Sequence, residues 1–106
     1  MSSEAQRRQL QAAEYQLARS TPGTYGYSTQ MNIVVSFKCD LAQELFWEGI
    51  REKSRAKVQE ALNLISEAIN YYTDVAHYDR DMLSYATENR AEWQTKLRGE
   101  SWWDRS

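Results

Sequence analysis

Residues 58–97 read VQEALNLISEAINYYTDVAHYDRDMLSYATENRAEWQTKL and contain neither Pro nor Gly. Apolar side chains dominate a line of positions taken at alternating steps of four and three residues: Val58, Leu62, Ile65, Ile69, Tyr72, Ala76, Asp79, Leu83, Ala86, Arg90, Trp93 and Leu97. Because a helical turn takes about 3.6 residues, side chains at this spacing share one face of a helix. The stretch predicts the helical core of the fold, but it names no reaction and no ligand.

A second apolar line lies beside the first and repeats every seven residues, at Ala61, Ala68, Val75 and Met82. So wide a face needs neighbours on two sides, which favours a bundle over a two-stranded coiled coil. An unbroken helix over residues 55–98 would be about 66 Å long, which is too long for one small domain to cover. We therefore expect either a break near His77 to Asp81 or coverage by a second copy or another protein.

Residues 1–23 predict a peripheral helix followed by a turn. Ser3 and Gln6 fit the S/T-x-x-E/Q capping box, and good helix formers follow through Arg19. The apolar face of this helix is thin, so we expect it to dock lightly. The Ser-Thr-Pro-Gly sequence of residues 20–23 ends it, because Pro lacks the N–H that a helix needs.

Residues 24–38 change the period of the pattern to two. Apolar and aromatic side chains alternate with small or polar ones from Tyr25 to Phe37, which predicts a half-buried β-strand. The backbone groups of a strand need a partner, and nothing else in the chain alternates comparably. Three pairings stay open: a hairpin folded near residues 28–30, pairing across a homodimer, and strand addition to another protein.

Residues 39–99 form the predicted helical core. Asp40 and Gln43 predict the start of a short helix at Leu41. Gly49 weakens that helix and Ser54 can cap a new one, so we place a bend between them. The long helix then runs to residue 98, and residues 100–106 form a tail. The predicted fold is one small domain over residues 1–106, mainly α with one β-strand, packed as a bundle and completed by oligomerisation.

The composition indicates an ordered protein of a reducing compartment. The net charge is only -2, but residues 59–92 hold seven acidic and two basic side chains, so the long helix is acidic. Cys39 is the only cysteine and can form no internal disulfide, which favours the cytoplasm, or a host cytoplasm if the protein is viral. No apolar run reaches the length of a membrane span, and the first residues do not resemble a signal peptide.

An acidic row follows the polar side of the long helix. Its five carboxylates repeat every seven residues, at Glu60, Glu67, Asp74, Asp81 and Glu88. Few Lys or Arg residues neutralise this side. Such a row can mimic the phosphates of a nucleic acid or steer a partner with a basic, nucleic-acid-binding surface. The alternative is the solvated side of an amphipathic helix.

Aromatic residues are the second candidate for partner binding. The chain holds four Trp, seven Tyr and two Phe, including a heptad-spaced set and a pair in the tail, namely Tyr71, Tyr78, Tyr85, Trp102 and Trp103. Tyr and Trp are enriched in protein interfaces, where they bury area and keep a polar end. Direct nucleic-acid binding is not favoured, because the basic residues form no groove beside these rings.

Catalysis and metal binding have weaker support. Asp74, His77 and Asp81 would share one helical face and could ligate a metal, but the chain has only one His to offer. Cys39 has no neighbouring His motif, and there is no Gly-rich phosphate loop. We therefore expect no catalytic residues, no metal and no cofactor.

The tripeptide Trp47-Glu48-Gly49, near the middle of a chain of 106 residues, resembles the WXG family of small helical-hairpin proteins that specialised bacterial systems secrete. That resemblance implies a helix before the tripeptide, where the alternation predicts a strand. It also implies a Y-x-x-x-D/E signal near the C-terminus, and Tyr78 and Tyr85 lack the acid that such a signal needs. No function is carried over from the family.

The sequence favours a non-catalytic interaction protein that binds a larger host protein through the acidic row and the aromatic residues. A small regulator or inhibitor of phage or mobile-element type fits this size. One alternative is a structural component whose long helix packs into a homomeric array. The other is a helical metal or ligand binder that uses Asp74, His77 and Asp81.

Overall fold

Residues 3–76 and 79–99 are described in the computed structural model of the protein, and they form four helices and no strand. The helices are α1 (Ser3–Ala18), α2 (Tyr25–Glu52), α3 (Arg55–Asp74) and α4 (Arg80–Arg98). Each packs against the next in the chain. Hydrogen bonds from Ser3 to Glu48 and from Gln30 to Ala13 show that α1 and α2 are antiparallel.

The apolar line in residues 58–97 does form the core, but as two helices rather than one. Its buried members are Val58, Leu62, Ile65, Ile69, Tyr72, Ala76, Ala86 and Trp93. The break falls between Asp74 and Arg80, in the region where the length argument allowed one. Helix α3 ends at Asp74, and Asp79 starts a new helix because its carboxylate caps α4 by accepting the Met82 N–H. Helix α4 can then pack back on α3, and the continuous helix is excluded.

The predicted strand over residues 24–38 is wrong, because these residues form the first half of α2. Thr24 caps the helix by accepting the Tyr27 N–H. The same segment also carries a helical spacing, in which Met31, Val34 and Val35 lie on one side and face the core. A helix pairs its own backbone groups, whereas a lone strand would have left them without partners. Because these residues are helical, strand pairing across a homodimer or onto another protein is excluded as well.

The predicted short helix starting at Leu41 is also wrong, since Asp40 lies in the middle of α2 rather than at a cap. The predicted bend is confirmed. Helix α2 ends at Glu52, Lys53 adopts the left-handed conformation with φ 55°, and Ser54 caps α3 by accepting the Lys57 N–H. Gly49 does not break α2, but it allows α3 to approach: a Cβ there would lie 2.6 Å from Cγ2 of Val58.

A buried carboxylate, rather than the predicted capping box, holds the start of α1. Glu48 of α2 accepts the Ser3 N–H at 2.6 Å and the Ser3 hydroxyl at 2.8 Å, and it pairs with Lys57 of α3 at 3.0 Å. Its side chain is only 9% exposed. The Ser3 N–H, the Lys57 ammonium group and the Ser3 hydroxyl together lower the pKa of Glu48 to about 2, against the opposing effect of burial. One charge therefore joins three helices.

Gly49→Ala tests the close approach of α2 and α3. The added methyl group would overlap Val58, so we expect a loss of about 1–2 kcal/mol of stability even though Ala favours helices. Gly26→Ala is the matched control, because a Cβ there would meet only Thr24 Oγ1, at 4.0 Å. Denaturant unfolding should show Gly26→Ala neutral or slightly stabilising. Equal stability of the two variants would contradict the close packing.

Glu48→Gln tests the buried charge through its pH dependence. The folded-state pKa of about 2 lies below the value of about 4.3 expected in the unfolded chain, so the charge stabilises the fold above pH 5. We expect the variant to lose about 2 kcal/mol at pH 7, and this difference to shrink as the pH falls from about 5 to about 2. Glu52→Gln removes the exposed partner of the same Lys57 and should cost less than about 1 kcal/mol. A pH-independent difference would refute the assignment.

Candidate functional site

The acidic row does not exist as one surface, since the break between α3 and α4 divides it. Two of its members are also neutralised within the chain. Glu60 pairs with Arg7 of α1 at 2.7 Å, and Glu67 pairs with Lys38 of α2 at 3.2 Å. The expectation of unneutralised acids is therefore wrong at these two positions. Asp74, Asp81 and Glu88 are exposed and form no ion pair with the described residues.

The aromatic set is also divided. Tyr71 is half-buried and donates its hydroxyl hydrogen to the side-chain oxygen of Asn32, while Tyr85 of α4 donates to Oε1 of Gln43 at 2.9 Å. Both tyrosines therefore reach back to α2 instead of lining one common face. The other three, Tyr78, Trp102 and Trp103, lie outside the described residues.

Tyr71 contributes to a groove between the start of α2 and the end of α3, which we call the α2–α3 groove. Its volume is about 430 Å³, and its lining residues are Tyr27, Ser28, Met31, Asn32, Tyr71 and Val75. None of the described helices covers the groove here, because α4 begins only at Arg80 and runs alongside α2 from Asn32 onward. Val75, at its edge, is 61% exposed. An apolar side chain of a partner would find hydrophobic walls and two tyrosine rings.

Three carboxylates lie at the end of the molecule that contains the groove. Asp74 directly precedes Val75 and is exposed. Asp79 lines a smaller pocket of about 300 Å³ that shares Asn32 with the groove. Asp81 follows in the first turn of α4, with Arg80 as the basic residue between them. Asp74, Asp79 and Asp81 thus lie at the same end of the bundle as the groove, without lining it, and we call these three residues the acidic rim.

Two candidate chemistries find no support in this geometry. Cys39 is 2% exposed, and burial, together with the nearby Asp40 charge, raises the pKa of its thiol to about 12, so it is not poised as a nucleophile. Within residues 3–76 and 79–99, no group of three His, Cys, Asp or Glu side chains could hold a metal ion. His77, which the metal hypothesis needs, lies outside the described residues. None of the four described helices is long and apolar enough to cross a membrane.

The comparisons with known proteins add no assignment. No protein-family model, no curated protein and no solved structure matches the chain. Function must therefore be inferred from the residues of the chain and their geometry.

The groove residues on α2 were missed because the sequence pattern assigned them to a strand. Tyr27, Met31 and Asn32 lie in the alternating segment, where a period of two hides their common helical side. The spacing of four between Tyr27 and Met31 was a usable signal. The basic partners Arg7 and Lys38 had no such signal, because they are 53 and 29 residues from the acids they neutralise.

Cys39 gives a direct check on the buried core of the bundle. A thiol reagent at pH 8 should modify it only as fast as the bundle opens, because the sulfur is buried and its pKa is raised to about 12. The measurement is the rate of labelling with and without denaturant, and we expect a slowdown of at least about a hundredfold in the folded protein. Fast labelling of the native protein would show that the core around Cys39 is open.

Proposed function

We propose that the protein is a non-catalytic interaction protein, a small regulator or inhibitor that binds a larger protein. The observation that supports this most directly is the α2–α3 groove, which combines hydrophobic walls and two tyrosines in about 430 Å³. Apolar grooves with tyrosine and methionine walls are typical of surfaces that accept an anchoring side chain of another protein. The partner inserts an aliphatic or aromatic side chain beside Tyr27, Met31 and Val75.

The acidic rim suggests the charge of this partner. Between residues 74 and 81 the chain holds three acidic residues, Asp74, Asp79 and Asp81, and one Arg, Arg80. Long-range attraction accelerates the encounter with a basic surface, whereas the buried anchor controls how long the complex lasts. The partner therefore carries Lys or Arg around its apolar anchor, and a nucleic-acid-binding protein meets this description. The cytoplasm, or a host cytoplasm for a phage or mobile-element protein, is the compartment we propose.

A homomeric assembly is the second proposal, and it has less support than the regulator. The sequence favoured an assembly because one helix over residues 55–98 would be too long for one chain to cover. In the fold, α4 covers α3 within the same molecule. Sedimentation of the purified chain over a range of concentrations separates the two proposals. A constant mass favours the regulator, and open-ended growth favours the structural array.

The groove proposal is tested by binding kinetics against a partner recovered from the native source. Asp74→Lys combined with Asp81→Lys should slow association about tenfold at low salt, because the rim then repels a basic surface. Met31→Ala should instead speed dissociation, since it removes a wall of the groove.

Glu88→Lys is the matched control for the charge reversal. It changes an exposed acid two turns further along α4, away from the groove, and should leave both rates within about twofold. Association that depends on neither the rim nor the salt concentration, with dissociation insensitive to Met31→Ala, would refute the groove as the binding site.

A further inference from the structure

The outer side of α2 carries a regular stripe that the described helices cover only in part: Phe37 is half-buried against the core, and the Trp47 ring packs on the edge of Phe46. The stripe consists of Ile33, Phe37, Asp40, Glu44, Trp47 and Arg51, at alternating steps of four and three residues. This spacing places the six side chains in one line of about 27 Å on the helix surface. Ile33 is 38% exposed and Trp47 is 49% exposed, so two large apolar groups of this outer stripe lie in solvent.

The neighbouring helices cover the other sides of α2. Helix α1 contacts it through Glu48 and Gln30, and α4 contacts it through Gln43 and Phe46. Helix α3 packs on the side of Gly49. Among the described residues the outer stripe thus lies between α1 and α4 without a helix over it. It is also remote from the α2–α3 groove, because Ile33 follows Met31 by two residues and points about 200° around the helix from it.

The order of side chains along the outer stripe is apolar, acidic, apolar and, at Arg51, basic. Ile33 and Phe37 lie at one end and Trp47 near the other. Asp40 and Glu44 lie between them, and neither forms an ion pair or side-chain hydrogen bond with the described residues. Partial burial raises the pKa of the Asp40 carboxyl. A cation held between Asp40 and Glu44 would be attracted by both side chains.

A second copy of the chain fits this surface poorly. Two outer stripes in full antiparallel overlap would place Asp40 of one copy against Glu44 of the other, and a parallel pair would place each acid against itself. Like charges in such positions repel. A shifted antiparallel register that brings Arg51 to Asp40 covers only residues 40–51. It leaves Ile33 and Phe37 outside the contact.

We propose that the outer stripe of α2 is a second docking surface, and that its occupant is an amphipathic helix of another protein with basic residues at the centre of its apolar face. The apolar ends of that helix pack on Ile33, Phe37 and Trp47. Its central Lys or Arg pairs with Asp40 and Glu44. This surface goes beyond the proposed groove function and does not depend on it, since the two lie on different sides of α2.

The test uses two synthetic helical peptides of about 20 residues, a length that matches the stripe. Both carry Leu at the outer contact positions; one has two Arg at the centre and the other has two Glu. Amide chemical-shift mapping and calorimetry on the full chain measure where and how tightly each peptide binds. We expect the Arg peptide to shift amides of residues 33–51 and to bind at least about tenfold more tightly than the Glu peptide.

Variants test the apolar part and the charged part of the interaction separately. Trp47→Ala should weaken the Arg peptide about tenfold or more, and Asp40→Lys with Glu44→Lys should reverse the preference toward the Glu peptide. The off-stripe control, Glu88→Lys with Glu92→Lys on α4, makes the same change of net charge and should leave the preference intact. Because all these positions are exposed or half-exposed, we expect every variant to fold, and the amide spectrum of each variant checks this.

Three outcomes would overturn the proposal. The two peptides could bind equally, or the shifts could map to Tyr27, Met31 and Tyr71, which would assign the peptide to the groove. Alternatively, the amides of residues 33–51 could shift with protein concentration in the absence of peptide, which would make a second copy the occupant. Met31→Ala separates this test from that of the groove, because it should leave binding at the outer stripe unchanged while weakening binding in the groove.

Discussion

The buried charge of Glu48 is the interaction on which the arrangement of the first three helices depends. Its carboxylate accepts two hydrogen bonds from Ser3 and pairs with Lys57, so one side chain of α2 fixes both the start of α1 and the start of α3. A buried carboxylate is tolerated only when such partners replace its lost hydration. The position of α1 is thereby set at its first residue, and Arg7 is brought within reach of Glu60.

Next to Glu48, Gly49 sets the distance between α2 and α3. Without a Cβ at this position the two helices approach until Val58 fills the space, and the core below closes around Leu45, Phe46 and Ile65. Neighbouring residues of one turn of α2 thus contact three different helices. The Glu48 carboxylate binds the start of α1, and Gly49 lets α3 approach. The ring of Phe46 stacks on Trp93 of α4, with the ring centroids 4.8 Å apart. Helix α2 is the common support of the bundle.

Whether a feature of the fold could be predicted depends on how far apart in the chain its interacting residues lie. The apolar line from Val58 to Trp93 is a local pattern, and the sequence shows it directly. Residues 25–37 satisfy a strand period and a helix period at once, and only the lack of a pairing partner argued against the strand. The ion pairs of Glu60 and Glu67 join distant parts of the chain. No local spacing predicts them, so of the five acids in the row only three form no ion pair with the described residues.

The exposed surfaces arise from a mismatch of helix lengths. Helix α2 has 28 residues, or about 42 Å, whereas α4 has 19 residues, or about 28 Å, and begins level with Asn32. Among the described helices, none therefore lies beside the first two turns of α2 on the side that α4 covers further along, and the α2–α3 groove lies there. The three described neighbours of α2 also leave one of its sides uncovered, which is where Ile33 and Trp47 are exposed. The four described helices of unequal length thus leave two separate surfaces on the longest of them, and each surface has its own balance of apolar and acidic groups.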